Sequence, residues 1–375
     1  MMRIERVEVY QADLPYAGGV YHLSGGRRYS NFDATLVRVV TACGLEGWGE
    51  STPFGTDYIA AHALGVRAGL EELGPAVIGL DPIAMDRVND AMDEALAGHL
   101  HAKTPIDVAC WDLFGKAVGR PVCDLLGGRV PGPVALISSI HAGTPDDMAA
   151  RVAEHRAKGF AGHSIKVGAA EAEGGPLLDA ERIRACLADR QPGEWFLVDA
   201  NGGLSPEHAL RMLGALPDGL DFVLEAPCAT WRETESLRRR TQRPILLDEM
   251  AQTEADLAQI IAGDLADGVG LKISKQGGLT RTRRQREIAR AAGLVVSVQD
   301  TVGSEVAFAA VLHMAQSTPR AMLRCALDTR SMVARQVAEF DAPIRDGGAE
   351  APGMPGLGVA PDLETLGDPV AVYEG

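Results

Sequence analysis

Apolar and polar positions change rhythm along the chain, and the change divides it. Ile4 to Tyr10 alternates, Ala34 to Thr41 is rich in β-branched residues, and Gly44 before Leu45–Glu50 marks a hairpin turn, so the opening reads as strands. Helical periodicity follows over His62–Leu73, Ile83–Leu96 and Thr104–Val118. The third helix is expected to start with Thr104 as N-cap and Pro105 at its first position, and to stop at Gly119. From about Val134 short apolar runs alternate with amphipathic segments: 134–140, 162–167, 195–201, 221–227, 244–249, 268–274, 294–300 and 321–327. Runs of this length fit parallel strands buried on both faces. Eight strand–helix units predict an α/β fold with a (β/α)8-type barrel, and a doubly wound sheet shares the same spacing. The expected division is an α+β cap over 1–128, a barrel over 129–340, and a tail over 341–375 that returns to the cap.

Composition narrows the function classes. The chain has 375 residues, 46% of them hydrophobic, which suits two domains with large cores. No apolar run approaches the roughly 20 residues of a membrane span, and the N-terminus reads as a first strand, not a signal peptide. A net charge of -15 argues against nucleic acid as partner. The six cysteines are scattered with no CxxC pair, which predicts free thiols in a reducing, cytoplasmic setting.

In a barrel, chemistry sits at the C-terminal strand ends. Successive runs end at Lys166, Asp199, Glu225, Asp248, Lys272 and Asp300, at intervals of 33, 26, 23, 24 and 28 residues. One rim thus gathers three carboxylates on consecutive strands, with a lysine on either side. Any one of these could be a structural ion pair; the ordered set points to catalysis. Unpaired carboxylates would repel one another, and a divalent cation removes that cost. Oxygen-only ligands favour Mg²⁺ over zinc. A lysine near positive charge becomes a usable base, and a substrate carboxylate on the metal would be polarised toward an enediolate. Two rivals belong to other classes: a lyase or aldolase with a Schiff-base lysine, and a non-catalytic small-molecule binding protein.

These residues resemble the enolase superfamily, and within it the muconate lactonising enzyme-like subgroup. The resemblance is carried by GWGE (47–50), AKTPIDVACWDLFGKAVGRPVCDLLGG (102–128), SIKVG (164–168), VDAN (198–201), LEAP (224–227), LLDE (246–249), LKISKQGGLT (271–280) and PGLGV (355–359). Sites of that superfamily are a worked case of a Lys base acting with Mg²⁺, so the mechanism above is not independent of it. The resemblance implies a modified TIM, β7α barrel with one altered outer helix and a cap completed by the C-terminal tail. It also implies Asp199, Glu225 and Asp248 as ligands of one Mg²⁺ per subunit, and Lys166 and Lys272 as the acid/base pair. A symmetric homo-oligomer is the family habit. One departure stands out: the family's Lys-x-Lys here reads Ser164-Ile165-Lys166. The segments 23–26, 61–70, 97–112 and 163–168 look most similar to cis-3-hydroxy-L-proline dehydratases and to hydroxyproline or proline betaine epimerases. Cycloisomerases and racemases of other amino-acid derivatives are the alternatives within the superfamily. Glycines and aromatics in 21–29 and 51–62 read as a mobile lid. The expected substrate contacts are Ser164, Asn201, Tyr58, Asp300 and Asp328, with either of the last two pairing an ammonium in place of a stacking Trp.

Overall fold

The structure, a computed structural model, describes residues 2–375. The cap is a four-stranded antiparallel sheet with helices on one face. Its first strand, Ile4–Pro15, pairs with Asn31–Thr41, which pairs with Glu46–Ser51. Helices Ala63–Val77, Met85–Ala95 and Leu100–Val118 pack on this sheet, joining Val7, Val9, Val37 and Val39 to Leu70, Leu73, Met92 and Ile106. Two glycines set how closely they pack. A Cβ on Gly47 would lie 2.1 Å from Ala109 O, and one on Gly49 would lie 2.1 Å from Pro105 O, so the long helix rests directly on the strand backbone.

That helix begins earlier than its sequence implies. It starts at Leu100, so Thr104 is not its N-cap and Pro105 lies within it. Thr104 instead donates to Leu100 O and to Ser274 O, stitching cap to barrel.

The eight predicted runs form eight parallel strands: Val134–Ile140, Gly162–Lys166, Trp195–Asp199, Val223–Glu225, Ile245–Leu247, Gly268–Lys272, Val295–Gln299 and Leu323–Leu327, called barrel strands one to eight below. Strand eight pairs with strand one and closes the ring, which excludes the doubly wound alternative. A helix follows each of strands one to seven. Strand eight is followed only by the 3-10 turn Arg330–Met332, which is the altered outer position. The tail divides its loyalties. Gly348–Ala349 adds antiparallel to barrel strand one, Val359–Pro361 pairs with Ala338–Phe340, and Ala371–Glu374 pairs with the first cap strand.

Buried cap carboxylates fasten the two units together. Glu50 accepts from the N–H groups of Ser304 (2.9 Å) and Ala307 (3.2 Å), the first turn of barrel helix Glu305–Gln316. Asp107 accepts from Thr280 N (3.0 Å) of the barrel, while Asp112 ties the cap strand at Trp48 N (3.1 Å) to the tail at Leu357 N (2.8 Å). All six cysteines are free, five of them buried. Among the described residues no helix is long and apolar enough to cross a membrane.

Candidate active site

The barrel register explains why distant residues meet. Lys166 is paired with Asp199 across strands two and three, Asp199 with Glu225 across three and four, and Leu246, two residues before Asp248, with Glu225. Lys272 ends strand six opposite Gln299 of strand seven. Lys166, Asp199, Glu225, Asp248 and Lys272 are all buried. Just beyond the carboxylates the chain turns sharply, with positive φ at Asn201 (45°) and Ala226 (40°). Non-glycine residues in that region carry strain of the kind found at functional sites.

The two lysines and the two outer carboxylates of this rim are paired, and Glu225 is not. Lys166 is hydrogen-bonded to Asp199, and Lys272 lies 2.5 Å from Asp248 Oδ2. Burial lowers the pKa of each lysine, but Asp199 for Lys166 and Asp248 for Lys272 outweigh it and hold both above the usual lysine value. Burial would raise Asp248, yet Lys272 and Lys275 overcome it and bring its pKa to about 2. Glu225 has no lysine bound to it. Burial, then repulsion from Asp199 and Asp248, drives its pKa well above the carboxylate range.

Two site residues escaped the sequence reading. Lys275 is fully enclosed, with its ammonium 2.8 Å from Asp248 Oδ1 and 3.1 Å from Gly270 O. Its signal was the Lys-x-x-Lys spacing of 272 and 275, which sets Lys275 on the helical turn that starts directly after Lys272. Glu249 accepts from Tyr58 (2.6 Å) and Asn201 (3.0 Å); as the second acid of run five it was visible but unassigned.

The five expected substrate contacts divide. Ser164 lies two residues before Lys166 and lines the same chamber, as do Asn201 and Tyr58. Tyr58 descends from the cap loop, and its hydroxyl also accepts from Lys272 (2.8 Å). Asp300 borders the chamber, but its carboxylate is taken by Ser274 Oγ (2.8 Å) and the Thr301 N–H (2.7 Å). Burial raises its pKa to about 6. Asp328 is not among the residues that line the chamber: its Oδ1 accepts from the Arg330 and Ser331 N–H groups and lies 3.5 Å from the Arg330 guanidinium, while its buried Oδ2 has no partner among the described residues.

The chamber has a volume of about 40 Å³ and is roofed by Tyr21, Phe54 and Tyr58 of the cap. Tyr21 stands edge-on to Phe54 and shares a 2.7 Å hydrogen bond with Ser139 of strand one.

The donor set suits a hard divalent cation: three buried, oxygen-only carboxylates on adjacent strands, with Glu225 repelled by its two neighbours. Asn201 Oδ1 and Glu249 Oε2 are further buried oxygens without a partner. Among the described residues, no three His, Cys, Asp or Glu side chains already form a closed cage. The reason is visible in the pairing, since the two outer carboxylates are each drawn to a lysine.

Comparison with known proteins agrees with this geometry. Residues 26–127 match the "Mandelate racemase / muconate lactonizing enzyme, N-terminal domain" family, and residues 147–365 match "Enolase C-terminal domain-like". A cis-3-hydroxy-L-proline dehydratase of Roseibium aggregatum is 40% identical over 99% of this chain and 100% of its own. An N-succinyl-L-Arg/Lys racemase of Bacillus cereus is 29% identical over 84% of this chain and 85% of its own. A solved mandelate racemase/muconate lactonizing enzyme-type structure from Roseovarius nubinhibens, complexed with magnesium, superposes with a TM-score of 0.97 at 62% identity. It covers 99% of this chain and 100% of that one.

Proposed function

We propose, for a chain that belongs to the mandelate racemase/muconate lactonizing enzyme family of the enolase superfamily, that it removes the α-proton of a small cyclic amino acid and expels a β-hydroxyl, dehydrating cis-3-hydroxy-L-proline. The carrying observation is the placement of Lys166 and Lys272 on opposite flanks of three buried carboxylates under an aromatic roof.

Asp199, Glu225 and Asp248 would hold one Mg²⁺ per subunit. Bound there, Mg²⁺ supplies positive charge that offsets the carboxylates now holding both lysines as ammoniums and the charge that develops on a substrate carboxylate. The chain's own groups do the rest. Lys166, as the free amine, takes the α-proton from one face, and the C–H electron pair becomes the α–β double bond. The β-carbon–oxygen bond breaks, and the departing hydroxyl leaves as water with a proton from the Lys272 ammonium. Ser164 gives Lys166 room where a second lysine would crowd it. Tyr58 and Asn201 orient the substrate's polar edge. Tyr21 and Phe54 cover the ring, exclude water and offer aromatic faces to its nitrogen. The six free cysteines fit a cytoplasmic setting, and the family habit is a homo-oligomer.

The same two lysines would also serve inversion at the α-carbon, the chemistry named for the Bacillus cereus relative. NMR of cis-3-hydroxy-L-proline and other proline derivatives in D₂O with Mg²⁺ separates the readings. Water loss supports dehydration, exchange with inversion supports an epimerase, and no α-exchange with any of them would end the proposal.

A further inference from the structure

Strand two ends at Lys166, and the chain must leave the sheet at once. Beyond Lys166 the barrel backbone supplies one more bond, from Val167 N to Asp199 O (3.0 Å). Among the described residues, the next two N–H groups, those of Gly168 and Ala169, find no backbone acceptor. Gly168 has a positive φ of 108°, so the chain bends away only two residues after the one that carries the amine. A turn with open donors would be free to shift, and Lys166 would shift with it.

One buried side chain takes both donors. Asp179 belongs to the helix Gly175–Leu187 that follows strand two, and it is fully buried. Its Oδ2 accepts from Gly168 N (2.8 Å) and Ala169 N (3.0 Å), and its Oδ1 lies 3.2 Å from the same Ala169 N. Bonds from N–H groups to an ionised carboxylate are stronger than neutral ones. A buried charge needs compensation, and two side chains from its surroundings provide it. Arg182 donates to Oδ1 (3.0 Å) and also to Gly143 O (2.9 Å) beyond strand one. His208, on the helix Pro206–Gly214 beyond strand three, brings Nε2 to 3.1 Å from Oδ2. Asp179 does not line the catalytic chamber, and it does not cap its own helix, whose N-cap is Gly174.

We infer that Asp179 is a positioning residue: its carboxylate clasps the turn after strand two and so holds the Lys166 amine at reaction distance from the α-carbon. The inference rests on the role of Lys166 as base proposed above.

The test joins amide exchange to kinetics on the full chain. In the parent without substrate, mass spectrometry of peptides spanning 167–170 is expected to show slow hydrogen exchange, although these residues lie in a turn. Asp179→Asn keeps the side chain's shape, removes its charge and sets an NH₂ group where one acceptor stood. It is expected to release that protection and to lower kcat on cis-3-hydroxy-L-proline about ten- to a hundredfold, with KM within about threefold of the parent's. Its Mg²⁺ affinity by calorimetry is expected to be unchanged. His208→Ala removes a partner of Asp179 but neither N–H bond of the turn, and kcat is expected to stay close to the parent's. Should Asp179→Asn fail to fold, Asp179→Glu takes its place, since it keeps the charge and displaces the acceptor by one methylene, with the same result expected. The inference is overturned if the parent's turn exchanges as an open loop does, if the Asp179 variant keeps parental kcat, if its loss lies in KM or in Mg²⁺ affinity, or if His208→Ala loses as much. A parent that exchanges the α-proton of no proline derivative ends the proposed function and takes this inference with it. A working parent with equally working Asp179 variants ends this inference alone.

Discussion

The two sides of the catalytic chamber carry the same kind of residue in different company. On the strand-two side, Lys166 has one carboxylate partner, Asp199, and a small neighbour, Ser164. On the strand-six side, Lys272 is bound to Asp248, donates to Tyr58, lies 5.1 Å from the Tyr58 ring centre, and shares Asp248 with Lys275. Lys166 has a single hydrogen-bond partner to give up on losing its proton, whereas Lys272 has both Asp248 and Tyr58. In the proposed elimination Lys166 is the base and Lys272 the acid, and the unequal company of the two amines is what that proposal puts to the test.

The sharpest way to break that contrast is to remove each lysine in turn. Lys166→Met is expected to lower α-proton exchange in D₂O by about a thousandfold or more, with Mg²⁺ affinity by calorimetry intact. Equal exchange in the variant and the parent would sink the assignment. Lys272→Met is expected to cut water loss by about a hundredfold while exchange, followed by NMR, persists; simultaneous loss of both would make the two sides equivalent. Ser164→Lys puts a long cation into a chamber of about 40 Å³, and kcat/KM is expected to fall about tenfold, in line with overpacking costs of about 1–3 kcal/mol. A rise in activity would instead mean that the strand-two side lacks a charge it could use. The smallest effect belongs to Tyr58→Phe. It deletes the hydroxyl between Lys272 and Glu249 but keeps the ring, so steady-state kinetics should change between about twofold and tenfold, as for one net hydrogen bond.

Much of this was readable from the chain because the barrel repeats. A strand plus a helix takes a near-constant length, so carboxylates 23 to 28 residues apart fall on one rim, and Asp199, Glu225 and Asp248 could be aligned without coordinates. What could not be read depends on local competition for hydrogen bonds. Asp328 follows strand eight as Asp248 follows strand five, but the next turn offers its Oδ1 two N–H groups and a guanidinium, which draw it away from the chamber lining. Thr104-Pro105 looks like a helix start, yet tertiary packing extends the helix back to Leu100, where no side chain caps it. Lys275 was hidden because a second lysine three residues on reads as a solvated helix face, and only the fold shows it folded inward. The tail was foreseen as returning to the cap, but pattern alone did not reveal its first stop on barrel strand one.

Glu50 has a consequence for how such proteins can be recombined. Its carboxylate is the cap's own residue, yet it satisfies the opening N–H groups of a barrel helix, and its neighbour Thr52 accepts at its carbonyl from Thr301 (2.6 Å) on the loop beside the chamber. The upper unit is thus structural cement for the lower one. A chimera that exchanges the two between relatives would have to bring an acid to this spot, or it would leave a frayed helix next to the catalytic floor.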